Sequence, residues 1–221
     1  AGPTEVELSC EVPGAAVHYT LDGTVPGPDS PRYMAPLTLG RDTWLAARVV
    51  VDGVPQRYVT RAGFHIVAPR PADRPARVVP GLRQEYYEYE GDWRRLPDFA
   101  TLSPVSAGVV DTIGVGARRR DQRFALRLTG YIRVPEDGVY VLATRSDDGT
   151  RLWVGEQLVV DNDELHTMVE EAGEIALRAG LHAVRLEYFQ NAGGFGLEAW
   201  ISGPEVEKQA LGGAWLWHAA R

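Results

Sequence analysis

Between residues 124 and 134 the chain alternates. Phe124, Leu126, Leu128, Gly130 and Ile132 fall on one side, and Ala125, Arg127, Thr129, Tyr131 and Arg133 on the other. A period of two predicts a β-strand with one buried face. Residues 139–144 are apolar on both sides, which predicts a central strand between packed layers. Pro135-Glu136-Asp137-Gly138 supplies the turn joining the two. Residues 174–177, 180–189 and 195–201 predict further strands. No stretch of ten or more residues holds a helical period, and residues 163–171 are read as one short helical turn.

The first third of the chain is punctuated by Pro13-Gly14, Asp22-Gly23, Pro26-Gly27, Gly40 and Asp52-Gly53. Short apolar runs at 16–21 and 43–51 lie between these turns, and that spacing predicts a small β-sandwich. Asp52-Gly53 predicts a type I′ hairpin. Alternation through residues 6–12 points even positions inward, so Cys10 is read as a small buried core residue. Residues 68–80 carry four prolines in thirteen positions, which predicts an extended, semi-rigid joint. The expected organisation is all-β, with domains at 1–67 and 81–221 and a linker at 68–80.

Composition narrows the partners. A net charge of −7 argues against nucleic acid or anionic lipid, and Arg118-Arg119-Arg120 lacks interleaved aromatics, so it reads as a solvated loop. No apolar run approaches the ~20 residues of a membrane span. The chain opens at Ala1-Gly2-Pro3 without Met or leader, which reads as a piece of a longer protein. A single cysteine forbids an internal disulfide, and the histidines at 18, 65, 166, 182 and 218 show no zinc spacing. Adjacent acids at a turn do not form the separated carboxylate pair of a glycosidase. No nucleophile-elbow or phosphate-loop pattern occurs. The chain is therefore read as non-catalytic.

The densest candidate chemistry is Arg145-Ser146-Asp147-Asp148-Gly149-Thr150-Arg151-Leu152-Trp153-Val154. Two adjacent acids before a glycine suit a hard cation, although neighbours on a strand point to opposite faces. Asp-Asp-Gly also suits a tight turn whose carboxylates cap backbone amides, and both readings stand at this point. Asp161-Asn162-Asp163-Glu164 reads as a solvated turn, and as a second wall of the acid pair if it borders it. His166 and His182 read as structural, Trp153 as packed within the fold. Of Tyr86, Tyr87 and Tyr89 at least one is expected to face outward. Phe195, with Trp200 beside it, is the preferred platform for a sugar ring.

Taken in order, Gly130 to Tyr140, Arg145 to Val154, Val159 to Asp163 and Gly180 to Tyr188 resemble the PA14 family of β-sandwich modules. The resemblance spans residues 81–217. Val17-His18-Tyr19-Thr20-Leu21-Asp22-Gly23-Thr24-Val25-Pro26 with Asp29-Ser30-Pro31-Arg32-Tyr33 resembles the immunoglobulin-like C-terminal domain of chitobiases and β-hexosaminidases, over residues 3–67. The first resemblance implies a carbohydrate-binding module and a cis Asp147-Asp148 peptide. It implies calcium as cofactor, held by Asp147, Asp148, the amide of Asn191 and backbone carbonyls at Gly193 and Phe195. Vicinal sugar hydroxyls would complete the ion's shell, so Asp147, Asp148, Asn191, Phe195 and Trp200 are the implied sugar-binding residues. The two resemblances together imply an accessory region of a bacterial glycoside hydrolase, at the cell surface, outside the cell or in the periplasm. Its partners would be a glycan and the parent catalytic domain, without nucleic acid or membrane insertion. The alternative is a module that docks on the catalytic domain and shapes its pocket without binding sugar.

Overall fold

The computed structural model describes residues 4–220; the opening Ala1-Gly2-Pro3 and Arg221 lie outside the described residues. Contacts divide the chain into two units, Ala1–Ala68 and Pro69–Arg221. Both are all-β, as the periodicities predict. Among the described residues the helical segments are two single turns, Phe99–Thr101 and Gly213–Trp215. No described helix is long and apolar enough to cross a membrane.

In the first unit β1 (Thr4–Val6) pairs with β3 (Leu37–Leu39). A second sheet is formed by β2 (Ala16–Thr20), β4 (Thr43–Val51) and β5 (Val54–Phe64), in that order. The β4–β5 hairpin turns at Asp52 and Gly53, with φ of 49° and 77°, the paired positive values of a type I′ turn. Leu39, Leu45, Ala46 and Val50 are buried. Cys10 corrects the expectation: it is only half-buried, because β1 stops at Val6 and the thiol sits in irregular chain beyond it.

The second unit begins with chain held against its own sheets. Arg70 N–H donates to the Ala176 carbonyl and Asp73 N–H to that of Leu181, and β6 (Val78–Pro80) is a short edge strand. The further strands are β7 (Leu82–Glu88), β8 (Ser106–Val110), β9 (Phe124–Val134), β10 (Gly138–Asp147), β11 (Thr150–Val154) and β12 (Gln157–Asn162). They are followed by β13 (Val169–Leu177), β14 (Gly180–Gln190), β15 (Gly196–Gly203), β16 (Val206–Ala210) and β17 (Leu216–Ala219). One sheet runs β13-β10-β15-β16; the larger runs β12-β11-β14-β9-β17-β6, with β7 also on β9 and β8 beyond β7.

The inward faces carry the predicted alternation. Phe124, Leu126, Leu128 and Ile132 of β9 meet Tyr140 and Leu142 of β10, Leu152 of β11, Leu186 and Tyr188 of β14 and Ile201 of β15 in one apolar core. β10 is central within its sheet, between β13 and β15, but it does not lie between packed layers: Val139 is 41% exposed, so one side of the strand faces outward.

Three expectations change. Residues 163–168 form bends, and 169–171 are the start of β13. The supposed helical turn is absent because Val169 to Glu171 extend the pairing with β10. The tyrosines at 86, 87 and 89 are all buried. Tyr87 does lie on the outer face, but Phe99 packs edge-on against it at 5.1 Å, and Trp93, Leu96 and Leu102 close a second apolar cluster there. Trp153 lies half-buried on the outer face instead of inside, covered by Arg185 at 4.1 Å.

That outer face also carries a row of alternating charge across neighbouring strands: Glu85, Arg127, Glu187, Arg151 and Asp161. Burial pushes the Glu187 carboxyl above its ordinary pKa, while Arg185, Arg127 and Arg151 pull it down. A carboxylate so placed depends on its guanidinium neighbours.

Candidate functional site

Asp147 ends β10, and β11 starts only two residues after Asp148. The Asp147-Asp148 peptide is cis. The Tyr188 hydroxyl donates to the Asp147 carbonyl at 2.6 Å, and Asp148 N–H donates to Gln190 Oε1 at 3.0 Å. The chain between β14 and β15 then folds back over the acids. Asn191 N–H donates to Asp148 Oδ2 at 2.8 Å. A Cβ on Gly194 would lie 2.8 Å from Asp147 Oδ2, so that position has room only for glycine as placed. Asp148 is 5% exposed.

Gln190 organises this loop. Its amide donates to the carbonyls of Ala192 at 3.1 Å and Gly194 at 2.6 Å. Among the described residues the intervening carbonyls of Gly193 and Phe195 accept no hydrogen bond. Beneath the acids, Thr144, Ser146, Thr150 and Asn162 share a buried network, with Thr144 Oγ1 and Thr150 Oγ1 2.8 Å apart. Replacing Gln190 by leucine strands the Asp148 N–H in a buried site and frees the loop carbonyls. We expect a loss of about 2 kcal/mol in urea unfolding, with faster amide exchange across 192–195. Unchanged exchange there would mean the loop holds itself.

Burial pushes both acids above the ordinary carboxylate pKa. For Asp147 the next cause is the charge of Asp148, opposed by His166. For Asp148, backbone N–H groups of Asn191, His166 and Ala192 work against burial. Two crowded anions and a buried Asn191 Oδ1 that has no hydrogen-bond partner leave this cradle short of positive charge. Among the described residues no three His, Cys, Asp or Glu side chains gather as a metal cluster. The donor set is two carboxylates, one amide oxygen and two free carbonyls. That is the hard-oxygen chemistry calcium prefers, and the residues fit the ion.

The structure therefore brings together Asp147, Asp148, Asn191 and the 193–195 loop. Trp200 stands apart. It is four residues along β15 from Gly196, the partner of Asp147, with the Arg145–Glu198 ion pair between. Phe195 flanks the loop but carries the Arg118 guanidinium 4.1 Å above its ring. Of the 118–120 run only Arg119 stays solvated: Arg118 also pairs with Asp121, and Arg120 binds the Tyr89 carbonyl. Asp163 is likewise no solvated turn residue, since its carboxylate accepts from the N–H groups of Leu96 and Glu164. His166 bonds the Asn162 and Thr167 carbonyls and His182 the Arg178 carbonyl, in keeping with the structural reading of both. Sequence reasoning missed Gln190, whose only signal was a polar residue ending an apolar strand.

The sequence matches the PA14 domain over residues 79–208. The chain belongs to the PA14 family. Ahead of the PA14 module, residues 1–60 match the chitobiase/beta-hexosaminidase C-terminal domain. A β-hexosaminidase of Porphyromonas gingivalis is 26% identical over 181 residues, covering 76% of this chain and 22% of that protein. The chain spans about a fifth of the length of the curated relatives it matches. Among solved structures, the PA14 sugar-binding domain of an RTX adhesin superposes with a TM-score of 0.55 at 21% identity, covering 63% of this chain and 99% of that one. The A domain of an epithelial adhesin from Candida glabrata, solved with Galb1-4GlcNAc, gives 0.52 at 15% identity, covering 68% and 96%. Both likenesses establish the β-sandwich fold of the PA14 module.

Proposed function

We propose that this chain is a non-catalytic, carbohydrate-binding region of a larger bacterial enzyme of the glycoside-hydrolase class, acting outside the cell or at its surface. The observation that carries the proposal is the buried, unpartnered Asn191 Oδ1 beside two charge-crowded acids. Asp147, Asp148 and Asn191 would hold calcium, with the carbonyls of Gly193 and Phe195. When bound, the ion supplies open coordination positions for paired sugar hydroxyls. The chain's own residues do the rest. Gln190 fixes the loop so that alternate carbonyls stay free, and the hydroxyl network under β10 and β11 holds the acids in place. The sugar-binding adhesin and the disaccharide-bound A domain that share the fold support this reading, as does the relationship to a β-hexosaminidase.

The test is a glycan array on the full chain in matched calcium and EDTA buffers. We expect binding in calcium that disappears in EDTA. Affinity for a single sugar is expected in the micromolar to millimolar range, strengthened by linkage to the parent enzyme. Silence in both buffers would favour the docking alternative. Half-buried Trp153 and Trp217, each under an arginine on the outer face of the larger sheet, are the surface that reading would use.

A further inference from the structure

The first unit carries an aromatic ring in an unusual setting. Trp44 is 61% exposed on β4 and faces away from buried Leu45. Its register partner on β5 is Gly63. A Cβ on Gly63 would sit 3.1 Å and 3.2 Å from Cζ3 and Cη2 of the indole, so the six-membered ring lies directly over that glycine. On the other side Trp44 bridges to Asp22. Gly23, with φ of +81°, is so close that a Cβ there would be 3.2 Å from that of Trp44. Glycine inside a strand weakens it and commonly marks close approach of another group. Here two glycines let the indole lie against the sheet, with one ring face on backbone and the other open to water.

Polar residues are the strand neighbours of Trp44. Asp22 Oδ1 accepts from Thr24 N–H at 3.0 Å and Thr24 Oγ1 at 2.6 Å, and the carboxylate is exposed to water. Arg61 is the diagonal neighbour of Trp44 across the β4–β5 pair, about 7 Å away by sheet geometry. It is exposed, and it makes no ion pair among the described residues. A flat apolar ring thus has a carboxylate acceptor on one side and a guanidinium donor on the other.

We propose that this face of the immunoglobulin-like unit is a second saccharide-binding site, in which the C–H face of a pyranose stacks on Trp44 and its hydroxyls bond to Asp22 and Arg61. The site needs no cation and does not involve the acid pair of the PA14 module. A protein anchor is a poorer fit. Such residues sit in desolvated pockets ringed by water-excluding contacts, whereas Trp44 is bordered by two glycines and two charged groups.

The experiment uses the full chain with its six tryptophans replaced by 5-fluorotryptophan. Fluorine NMR reads each indole separately, and Trp44→Phe assigns the signal of interest. Titration in EDTA with Galβ1-4GlcNAc and with cello-, xylo- and chito-oligosaccharides should move the Trp44 signal saturably for at least one of them. Asp22→Asn combined with Arg61→Ala should lower that affinity about tenfold, a change of ~1.4 kcal/mol. A Trp44 signal unmoved by the whole panel overturns the proposal. So does a Trp44→Phe chain that melts earlier yet binds the same sugar as tightly as the wild type in EDTA, which would make the indole a cover for Gly63 alone. Calcium-dependent binding is scored separately on Asp148→Asn, so failure of either site is recognised without the other.

Discussion

At the proposed calcium site, Asp148→Asn should lower the affinity of the full chain for calcium on the order of 100-fold in calorimetric titration. Affinity at an oxygen site follows the number of charged ligands, and this site has two. Asn191→Leu, which removes the unpartnered amide oxygen, weakens binding in the same direction by less. Loss of binding will not be loss of fold. Both acids are held above their ordinary pKa, chiefly by burial, and Asp147 is raised further by Asp148. Removing one charge therefore relieves the ion-free chain.

Linkage gives the same result with pH as the variable. A carboxyl whose pKa is raised on folding adds stability below its ordinary value, 3.8 here, and loses that contribution as pH rises through the folded value. For these two groups the ion-free chain is thus more stable in acid than at neutrality, and calcium bound as proposed would oppose the trend. Wild-type calcium affinity in Asp148→Asn would sink the clamp and leave two acids that only cap a turn.

How much of this was legible depends on which force decides each element. The strand at 124–134 was readable to the residue, because one buried face imposes a period of two, and β9 spans Phe124–Val134. The hairpin at Asp52-Gly53 was readable because few residues accept two positive φ values. Elements set by distant chain were not. One of the tyrosines 86, 87 and 89 was expected to be exposed, but residues 93–102 cover Tyr87 on the outer face, and Arg118 looked solvated until it met Phe195. At the site, Asp147, Asp148 and Asn191 were named through family resemblance, since strand alternation alone would separate adjacent acids. The reason they converge lies in Gln190, whose bonds to Asp148, Ala192 and Gly194 have no local signature. Trp200 was grouped with the loop by closeness in sequence. Extended backbone rises about 3.3 Å per residue, so four residues carry it beyond reach.

The most sensitive backbone position for the fold is Gly173, which no sequence pattern singles out. Gly173→Ala should destabilise the PA14 module by roughly 3 kcal/mol or more, lowering Tm by about 10 °C in a unit of this size. Gly173 pairs with Leu142 inside the smaller sheet. A Cβ there would sit 1.8 Å from the Val159 carbonyl oxygen and 2.8 Å from its carbon. Val159 belongs to β12 at the edge of the larger sheet, so Gly173 marks where the two layers approach backbone to backbone. A side chain in the way could swing aside; a strand cannot. β12 must move outward, and it carries Asn162, whose amide donates to Ser146 beneath the acids at 3.2 Å. Calcium affinity should therefore fall along with Tm. Gly108→Ala is the control, because a Cβ there meets nothing within 4 Å, and its melting curve should overlay the wild type. Equal Tm for the two variants would show that β12 yields freely, and that the contact between the sheets is not what closes the sandwich.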